Sequence, residues 1–212
     1  MPMTEWLLPL ATIALANLLG AMSPGPAFVL IVRIAVSRGR RAALAATLGL
    51  AIGAMAWTAA AIWGLQAVFV RFAWLHAGLR YAGGAFLIYL GLMIWRHAKA
   101  PPPLIAAAAA GPAPGLRGVF VHALVLQLTN PKIMIFFGSI FVAVLPPEMP
   151  LWVELTILVL ILVNEFAWYG LVAATFASAT ARATYARVKI WSDRAMGVFL
   201  AGLGARLMLV DR

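Results

Sequence analysis

The residues with the clearest chemical potential form two helix-breaking motifs, each placed inside an apolar run. The first is Ser23-Pro24-Gly25-Pro26, and the second is Thr129-Asn130-Pro131-Lys132. Proline has no amide hydrogen and cannot continue a helical hydrogen-bond ladder, so each motif predicts a helix that stops and restarts. A restarting helix presents free amide donors and a positive dipole end, which suit a carboxylate, while the released carbonyls suit an ammonium group. This chemistry predicts a site for an α-amino acid, although other small zwitterions or anions would also fit.

Each break also has predicted caps and predicted free acceptors. Ser23 and Asn130 are expected to cap the restarting helices. The carbonyls of Gly20, Met22 and Gln127 are expected to lose their helical donors to the prolines. A kink that only allows helix packing is the alternative for one break, but two breaks at matching places in two halves favour a transport site. The predicted substrate-binding residues are Ser23, Pro24, Gly25, Pro26, Asn130, Pro131 and Lys132.

Two charged residues lie deep inside apolar runs. Burying Lys132 there costs about 2.5 to 3.5 kcal/mol, so something acidic or rich in carbonyls should offset its charge. Glu165 is the carboxylate buried to a comparable depth. The two could form an ion pair, or Glu165 could couple transport to the proton gradient while Lys132 meets a substrate carboxylate. We assign proton coupling to Glu165, and additional lining of the site to Asn164, Trp168, Tyr169 and Gln127.

The elements that must position these residues are membrane helices. The chain of 212 residues is 65% hydrophobic and 10% charged, which is typical of an integral membrane protein. A spanning helix needs about 20 mostly apolar residues, and six such runs can be identified. They are Trp6 to Val36, Ala42 to Leu65, Gly78 to Trp95, Val119 to Leu145, Leu151 to Ala179 and Ile190 to Val210. The first and fourth contain the breaks, so each is expected to be two half-helices.

Basic residues indicate the orientation. Most of them flank three connections: Arg38, Arg40, Arg41, Arg96, Lys99, Arg117, Arg182, Arg187, Lys189 and Arg194. Few flank the others, where Arg71, Arg80 and Arg212 lie. By the positive-inside rule, the three basic connections are cytoplasmic and both termini are periplasmic, in the inner membrane of a bacterium. The charge of +10 is therefore topological, and a nucleic-acid partner is not expected.

The chain divides into two halves. We expect a first three-helix repeat at residues 1–96, a cytoplasmic Ala/Pro linker at 97–117 and a second three-helix repeat at 118–212. Because each half has an odd number of spans, the halves would be inverted relative to each other. Residues Gly84 to Gly91 and Gly197 to Gly204 share the pattern G-x-F-L-x-x-L-G, which supports a relation between them. The predicted fold is thus an all-α membrane protein with six transmembrane helices in two inverted repeats.

Other classes of function find little support. The chain has no cysteine, and His76, His97 and His122 lack metal-ligand spacing, so no metal, cofactor or enzymatic activity is expected. A structural membrane subunit would carry the mid-membrane charges and doubled breaks at needless cost. Gly49 and Gly53 form a G-x-x-x-G pattern, for which close packing of helices is favoured over a homodimer face.

The combined motifs resemble the lysine exporter (LysE/RhtB) family of bacterial amino-acid exporters. The resemblance rests on G-x-x-S-P-G-P from Gly20, the basic Arg38-Gly39-Arg40-Arg41, the Leu128 to Lys132 segment followed by Phe136-Phe137, and the closing glycine motif. It implies a six-helix inner-membrane carrier that exports amino acids or related metabolites, is driven by the proton gradient, and has its substrate path lined by the two breaks. Export of a different small solute or a cation is the alternative.

Overall fold

The computed structural model describes residues 3–23, 25–71, 73–99, 115–146, 149–176 and 179–209. Pro24, most of the predicted linker and the last three residues lie outside this set. A short 3-10 helix, Met3–Trp6, precedes the helices α1 (Leu7–Met22), α2 (Pro26–Arg71), α3 (Ala73–His97), α4 (Leu116–Leu128), α5 (Pro131–Val144), α6 (Leu151–Thr175) and α7 (Ala179–Leu209). No strand occurs among the described residues, so the predicted all-α class is confirmed.

Both predicted helix breaks are present. Helix α1 ends at Met22 and α2 begins at Pro26, while α4 ends at Leu128 and α5 begins at Pro131. The axes of the second pair differ by 58°. In both cases the helix restarts at a proline, whose fixed φ suits the first helical position and whose missing amide is not needed there.

Helix α2 consists of two arms that meet at Gly39. This residue has φ 78° and ψ 177°, a backbone conformation that side-chain-bearing residues rarely adopt and that glycine reaches without steric cost. The position falls between the first and second predicted spans. Buried residues from both arms, such as Ile31 and Ala46, belong to one apolar cluster.

By length and composition, the described residues contain two helices able to cross a membrane, Pro26–Gly64 and Leu151–Thr175. The bent pair α4 and α5 would provide a third span, and Leu7–Met22 is a shorter apolar helix. Six spans were expected from the sequence, and the described residues form seven α-helices. The two proline motifs divide the first and fourth predicted runs, which would give eight helices, but α2 joins the second half of the first run to the second run through Gly39.

Glycines permit the closest helix contacts. A Cβ atom at Gly84 would lie 2.9 Å from the carbonyl oxygen of Gly204, and one at Gly91 would lie 2.5 Å from that of Gly197. Helices α3 and α7 therefore touch backbone to backbone. Gly53 similarly faces the Gln127 side chain on α4. The glycine pattern in α2 thus serves packing within the chain, as favoured from the sequence, and the homodimer stays a prediction.

The buried apolar residues form two clusters, and polar residues lie between them along two helices. On α6, Ile161 belongs to the first cluster and Tyr169 to the second, with Glu165 between them. On α1, Ala16 and Ala21 belong to different clusters in the same way. A functional site is therefore expected in the layer of buried polar groups between the two clusters.

Candidate functional site

Lys132 connects the two helix breaks. Its Nζ atom lies 3.5 Å from the carbonyl oxygen of Gly20 and 3.5 Å from that of Ser23, both at the first break. A Cβ atom at Gly25 would lie 3.7 Å from the same ammonium nitrogen. The second break therefore places its lysine directly against the backbone of the first. The carbonyl-rich surroundings expected for Lys132 are present. The carbonyl of Gly20 is available because residue 24, its partner in a continuous helix, is a proline without an amide hydrogen, and Ser23 lies between α1 and α2.

Close contact between α1 and α5 brings Lys132 to this place. A Cβ atom at Gly20 would lie 3.0 Å from Cζ of Phe136, so the aromatic ring packs on the bare glycine backbone. Phe136 follows Lys132 by one helical turn, and residues four apart share a helix face. Buried Phe136 thus fixes α5 against α1 and directs the lysine toward the break.

The two restarting helices are capped differently. The Asn130 side chain accepts a hydrogen bond of 3.1 Å from the backbone amide of Lys132, which confirms its predicted role as a cap. At the other break, Gly25 directly precedes α2, and its carbonyl accepts a hydrogen bond from the amide of Val29. The prediction that Ser23 caps α2 was therefore wrong, because Ser23 lies too far back along the chain. Its contribution to the site is its carbonyl oxygen.

The carbonyl of Gln127 differs from the prediction as well. The tight turn after α4 directs the amide of Asn130 onto it, at 3.2 Å. This oxygen was expected to be free because Pro131 cannot donate to it. The amide of Asn130 takes the place of the amide that Pro131 lacks. The second break therefore contributes the side chain of Lys132 to the site, and not the carbonyl of Gln127.

Glu165 belongs to a buried network of side-chain hydrogen bonds. Asn17 donates to Glu165 Oε1 at 2.9 Å, and Asn164 donates to Asn17 Oδ1 at 2.8 Å. Asn164 also donates to the carbonyl oxygen of Ala14 at 2.9 Å. The side chain of Glu165 is only 1% exposed, and its Oε2 atom has no hydrogen-bond partner among the described residues. We call Asn17, Asn164 and Glu165 the carboxylate network.

The carboxylate network and Lys132 lie on one face of α1. Asn17 and Gly20 are three residues apart, so their positions are adjacent on the helix surface. The first holds Glu165, and the carbonyl of the second accepts from Lys132. Within the described part of the chain no salt bridge joins Lys132 to Glu165, so the hypothesis of a direct ion pair was wrong. Each charge is satisfied mainly by neutral groups, although the two interact through space.

Other buried polar atoms near these helices also lack partners. Both side-chain polar atoms of Gln127 and the Nε1 atom of Trp168 are buried and without a hydrogen-bond partner among the described residues. Such groups are costly to bury unless water or a ligand satisfies them. Tyr169 is buried one turn beyond Glu165 on α6. The lining role predicted for these three side chains and Asn164 stays a prediction.

A second charged cluster lies between α3 and α7. Lys189 Nζ lies 2.7 Å from Asp193 Oδ2 and donates to the carbonyl oxygen of Ala98 at 3.2 Å. Both side chains are buried. The lysine therefore ties the end of α3 to α7. Opposite charges four residues apart are the sequence signal of such a pair.

Asn17 is the main residue of the carboxylate network that was not predicted from the sequence. It is 2% exposed and is the one residue of α1 with a side-chain amide. A lone amide in a membrane helix usually faces the protein interior, and this signal could have identified it. Its contact with Glu165 joins residues far apart in the sequence and could not be read from spacing.

The described structure defines a class of protein. Two broken helices that meet around a partly buried cation, with a buried carboxylate on a neighbouring helix, are the arrangement expected of a membrane transporter whose binding site lies at interrupted helices. Residues 18–210 match the model of the LysE type translocator family. The chain belongs to this family of translocators, so the predicted family and the predicted class of exporter are confirmed.

Individual relatives agree with this assignment. The chain is 33% identical over 204 residues to the threonine efflux protein of Escherichia coli strain K12, covering 93% of this chain and 96% of the relative. Identity to the threonine efflux protein of Salmonella typhi is also 33%, over the same coverage. The homoserine/homoserine lactone efflux protein of Salmonella typhimurium is 31% identical over 137 residues, or 64% of each chain. No solved structure matches the chain.

Proposed function

We propose that this protein exports threonine and related small amino acids across the bacterial inner membrane and that proton entry drives the export. The observation that carries the proposal is the ammonium group of Lys132, held at the meeting point of the two breaks by two carbonyls at 3.5 Å. Contacts of this length are at the weak limit of hydrogen bonding. An ammonium group has three donors, so Lys132 can turn toward a substrate carboxylate.

The substrate class rests on two arguments. The two relatives described above that cover 93% of the chain carry threonine in their names, and the relative that covers 64% carries homoserine. The breaks provide the matching chemistry for a zwitterion, namely a cation, helix amino ends and backbone carbonyls. In this proposal Ser23, Gly25, Asn130 and Lys132 contact the substrate, together with the backbone of Pro24, Pro26 and Pro131.

Proton coupling is assigned to Glu165. This carboxyl group is buried between the two apolar clusters and retains an oxygen without a partner among the described residues. An ionisable group at such a depth in a membrane protein usually serves a pathway for protons, ions or substrate. Asn164, Gln127, Trp168 and Tyr169 would line the same space.

The proposed architecture is six spans in two inverted repeats, with residues 97–117 as the cytoplasmic linker. The reciprocal glycine contacts support it: the first glycine of the motif in α3 meets the last glycine of the copy in α7, and the reverse also holds. A two-fold axis that exchanges the halves, Gly84 with Gly197 and Gly91 with Gly204, requires this reciprocity. Both termini would then be periplasmic.

Counterflow in liposomes tests the function. Purified protein is reconstituted with unlabelled L-threonine inside, and entry of labelled L-threonine, L-homoserine, L-serine or L-lysine is followed. We expect exchange of threonine and homoserine. A pH gradient, acid on the side that represents the periplasm, should drive net threonine export, and Glu165→Gln should abolish this drive. Absence of exchange for every amino acid in the panel would contradict the assignment as an amino-acid exporter.

A further inference from the structure

We infer that Glu165 Oε2 binds either a proton or the ammonium group of the substrate, so that the two ligands replace each other at one carboxylate oxygen. This inference rests on the proposed function and specifies how its site exchanges cargo for protons. Asn17 and Asn164 are positioning residues, because they leave the carboxylate with a single available oxygen.

Hydrogen-bond logic fixes the orientation of both amides. Asn164 Nδ2 lies between two acceptors, the carbonyl oxygen of Ala14 and Oδ1 of Asn17. Because the carbonyl end of Asn17 accepts from Asn164, its amino end must face Glu165. The 2.9 Å bond from Asn17 Nδ2 to Glu165 Oε1 has this polarity. Oε1 is therefore held as a permanent acceptor.

The remaining oxygen is set up for an exchangeable cation. Oε2 is buried and has no partner in the described part of the chain. Leaving a buried carboxylate oxygen unsatisfied costs free energy, which a proton or an ammonium donor recovers. A proton on Oε2 neutralises the carboxylate and occupies the site of the donor, so an ammonium group does not bind there at the same time. Occupation by one ligand consequently expels the other, which is the stoichiometric requirement for exchange.

Few charged groups act on this oxygen. Helix α1 carries none, and Arg33, Arg38, Arg40 and Arg41 of α2 are exposed. Lys132 on α5 acts on Glu165 through space, and Asp193 on α7 acts on Lys132. Because Asn17 and Gly20 are adjacent on α1, Glu165 and Lys132 approach the same patch from two sides. A zwitterion placed there has its carboxylate toward Lys132 and its ammonium toward Oε2.

Protons and substrate molecules balance in each cycle of the exchange. Protonated Glu165 releases its proton to the water on the cytoplasmic side when the substrate ammonium arrives. On the periplasmic side a proton binds Oε2 and the ammonium leaves with the substrate. No bond within the substrate is made or broken, and one proton enters for each amino acid that leaves.

Binding measurements across a pH series test this inference. For the reconstituted wild type, the apparent affinity for L-threonine should fall about tenfold per pH unit on the acid side, with unchanged binding capacity. Calorimetry in buffers of different ionisation enthalpy should report the release of one proton per threonine bound on that side. The deaminated analogue 3-hydroxybutyrate, which keeps the carboxylate but has no ammonium group, should bind without releasing a proton.

Variants separate this role from simple support of the fold. Glu165→Gln should bind threonine about tenfold more weakly or worse and show no pH dependence, since a neutral amide cannot pair with the ammonium. In Asn17→Ala, Oε1 of Glu165 loses its hydrogen-bond donor and becomes available to a second ligand. The carboxyl group can then keep its proton while the ammonium binds, so threonine binding should release less than one proton. Glu154→Gln, on the same helix and bonded to Trp63, should behave like the wild type.

The outcomes are distinguishable. Exchange of threonine with an affinity that does not depend on pH would overturn this inference and leave the transporter proposal intact. The same holds if Glu165→Gln retains the affinity of the wild type but loses the drive of a pH gradient. If the wild type exchanges none of the amino acids, the proposed function fails and this inference fails with it.

Discussion

At the scale of single residues, the most informative contact is between Lys132 and the backbone of the first break. Asn130, Phe136 and Gly20 all serve to place this one ammonium group. The Asn130 side chain caps the start of α5, the Phe136 ring packs against α1, and Gly20 leaves the space for that ring. A charge that is costly to bury has thus been given carbonyl partners that hold it weakly enough to be available.

Replacing Lys132 by methionine should weaken substrate binding. The substitution keeps the length and volume of the side chain but removes its charge, and a hydrogen bond to a charged group contributes about 1.5–3 kcal/mol. We therefore expect the KM for threonine counterflow to rise about 10- to 100-fold. Lys99→Met, at an exposed position, is the matched control and should leave KM unchanged. An unaltered KM in Lys132→Met would remove the lysine from the substrate site.

The sequence was sufficient to predict the special residues but not all of their partners. Lys132 and Glu165 could be identified because a charge in a long apolar run is costly and therefore has a purpose. A direct ion pair between them, one of the two alternatives considered, is not formed, because Asn17 and the carbonyls at the first break are their hydrogen-bond partners. Which neutral group reaches a charge depends on how α1, α5 and α6 pack, and this packing is not encoded in local spacing.

At the scale of elements, glycines decide which helices approach most closely. At Gly91 the atoms that a new methyl group would meet are the carbonyl oxygen of Gly197, at 2.5 Å, and the amide nitrogen of Ala201, at 2.9 Å. Both belong to the backbone of α7, which cannot move aside as a flexible side chain can. The glycine motif repeated in the sequence indicated this packing, whereas its pairing of first with last glycine required the structure.

Gly91→Ala should therefore destabilise the protein. Overpacking typically costs about 1–3 kcal/mol, so we expect a lower thermal midpoint in detergent. Gly202→Ala is the control, because a methyl group at this exposed position on α7 meets nothing within 4 Å. There, the higher helix propensity of alanine should raise stability by about 0.5–1 kcal/mol. Equal shifts in the two variants would contradict close contact between α3 and α7.

At the scale of the whole molecule, the distribution of charge predicts the orientation in the membrane. The described residues do not by themselves yield six spans by length and composition, and the linker lies largely outside them. Positive residues near helix ends determine which loops stay in the cytoplasm, so the sequence predicts the orientation more directly than the helices do. The fold alone does not determine the orientation, because orientation is defined relative to the bilayer.

Labelling of single cysteines in intact cells tests the orientation. The chain has no cysteine, so each introduced thiol is unique. A maleimide that cannot cross the inner membrane should label Pro150→Cys, which precedes α6, but not Ser37→Cys or Lys99→Cys. All three should be labelled after the cells are opened. Labelling of Lys99→Cys in intact cells would contradict the predicted cytoplasmic connection.

The bare crossing of α3 and α7 limits how the molecule can move. Neither helix has a side chain at the two glycine positions that could swing into a new rotamer, and Lys189 fastens the end of one helix to the other. Helices α3 and α7 should consequently move together as one rigid body. Alternate opening toward the two faces of the membrane is then left to the interrupted helices, whose unwound segments can bend without breaking a continuous hydrogen-bond ladder.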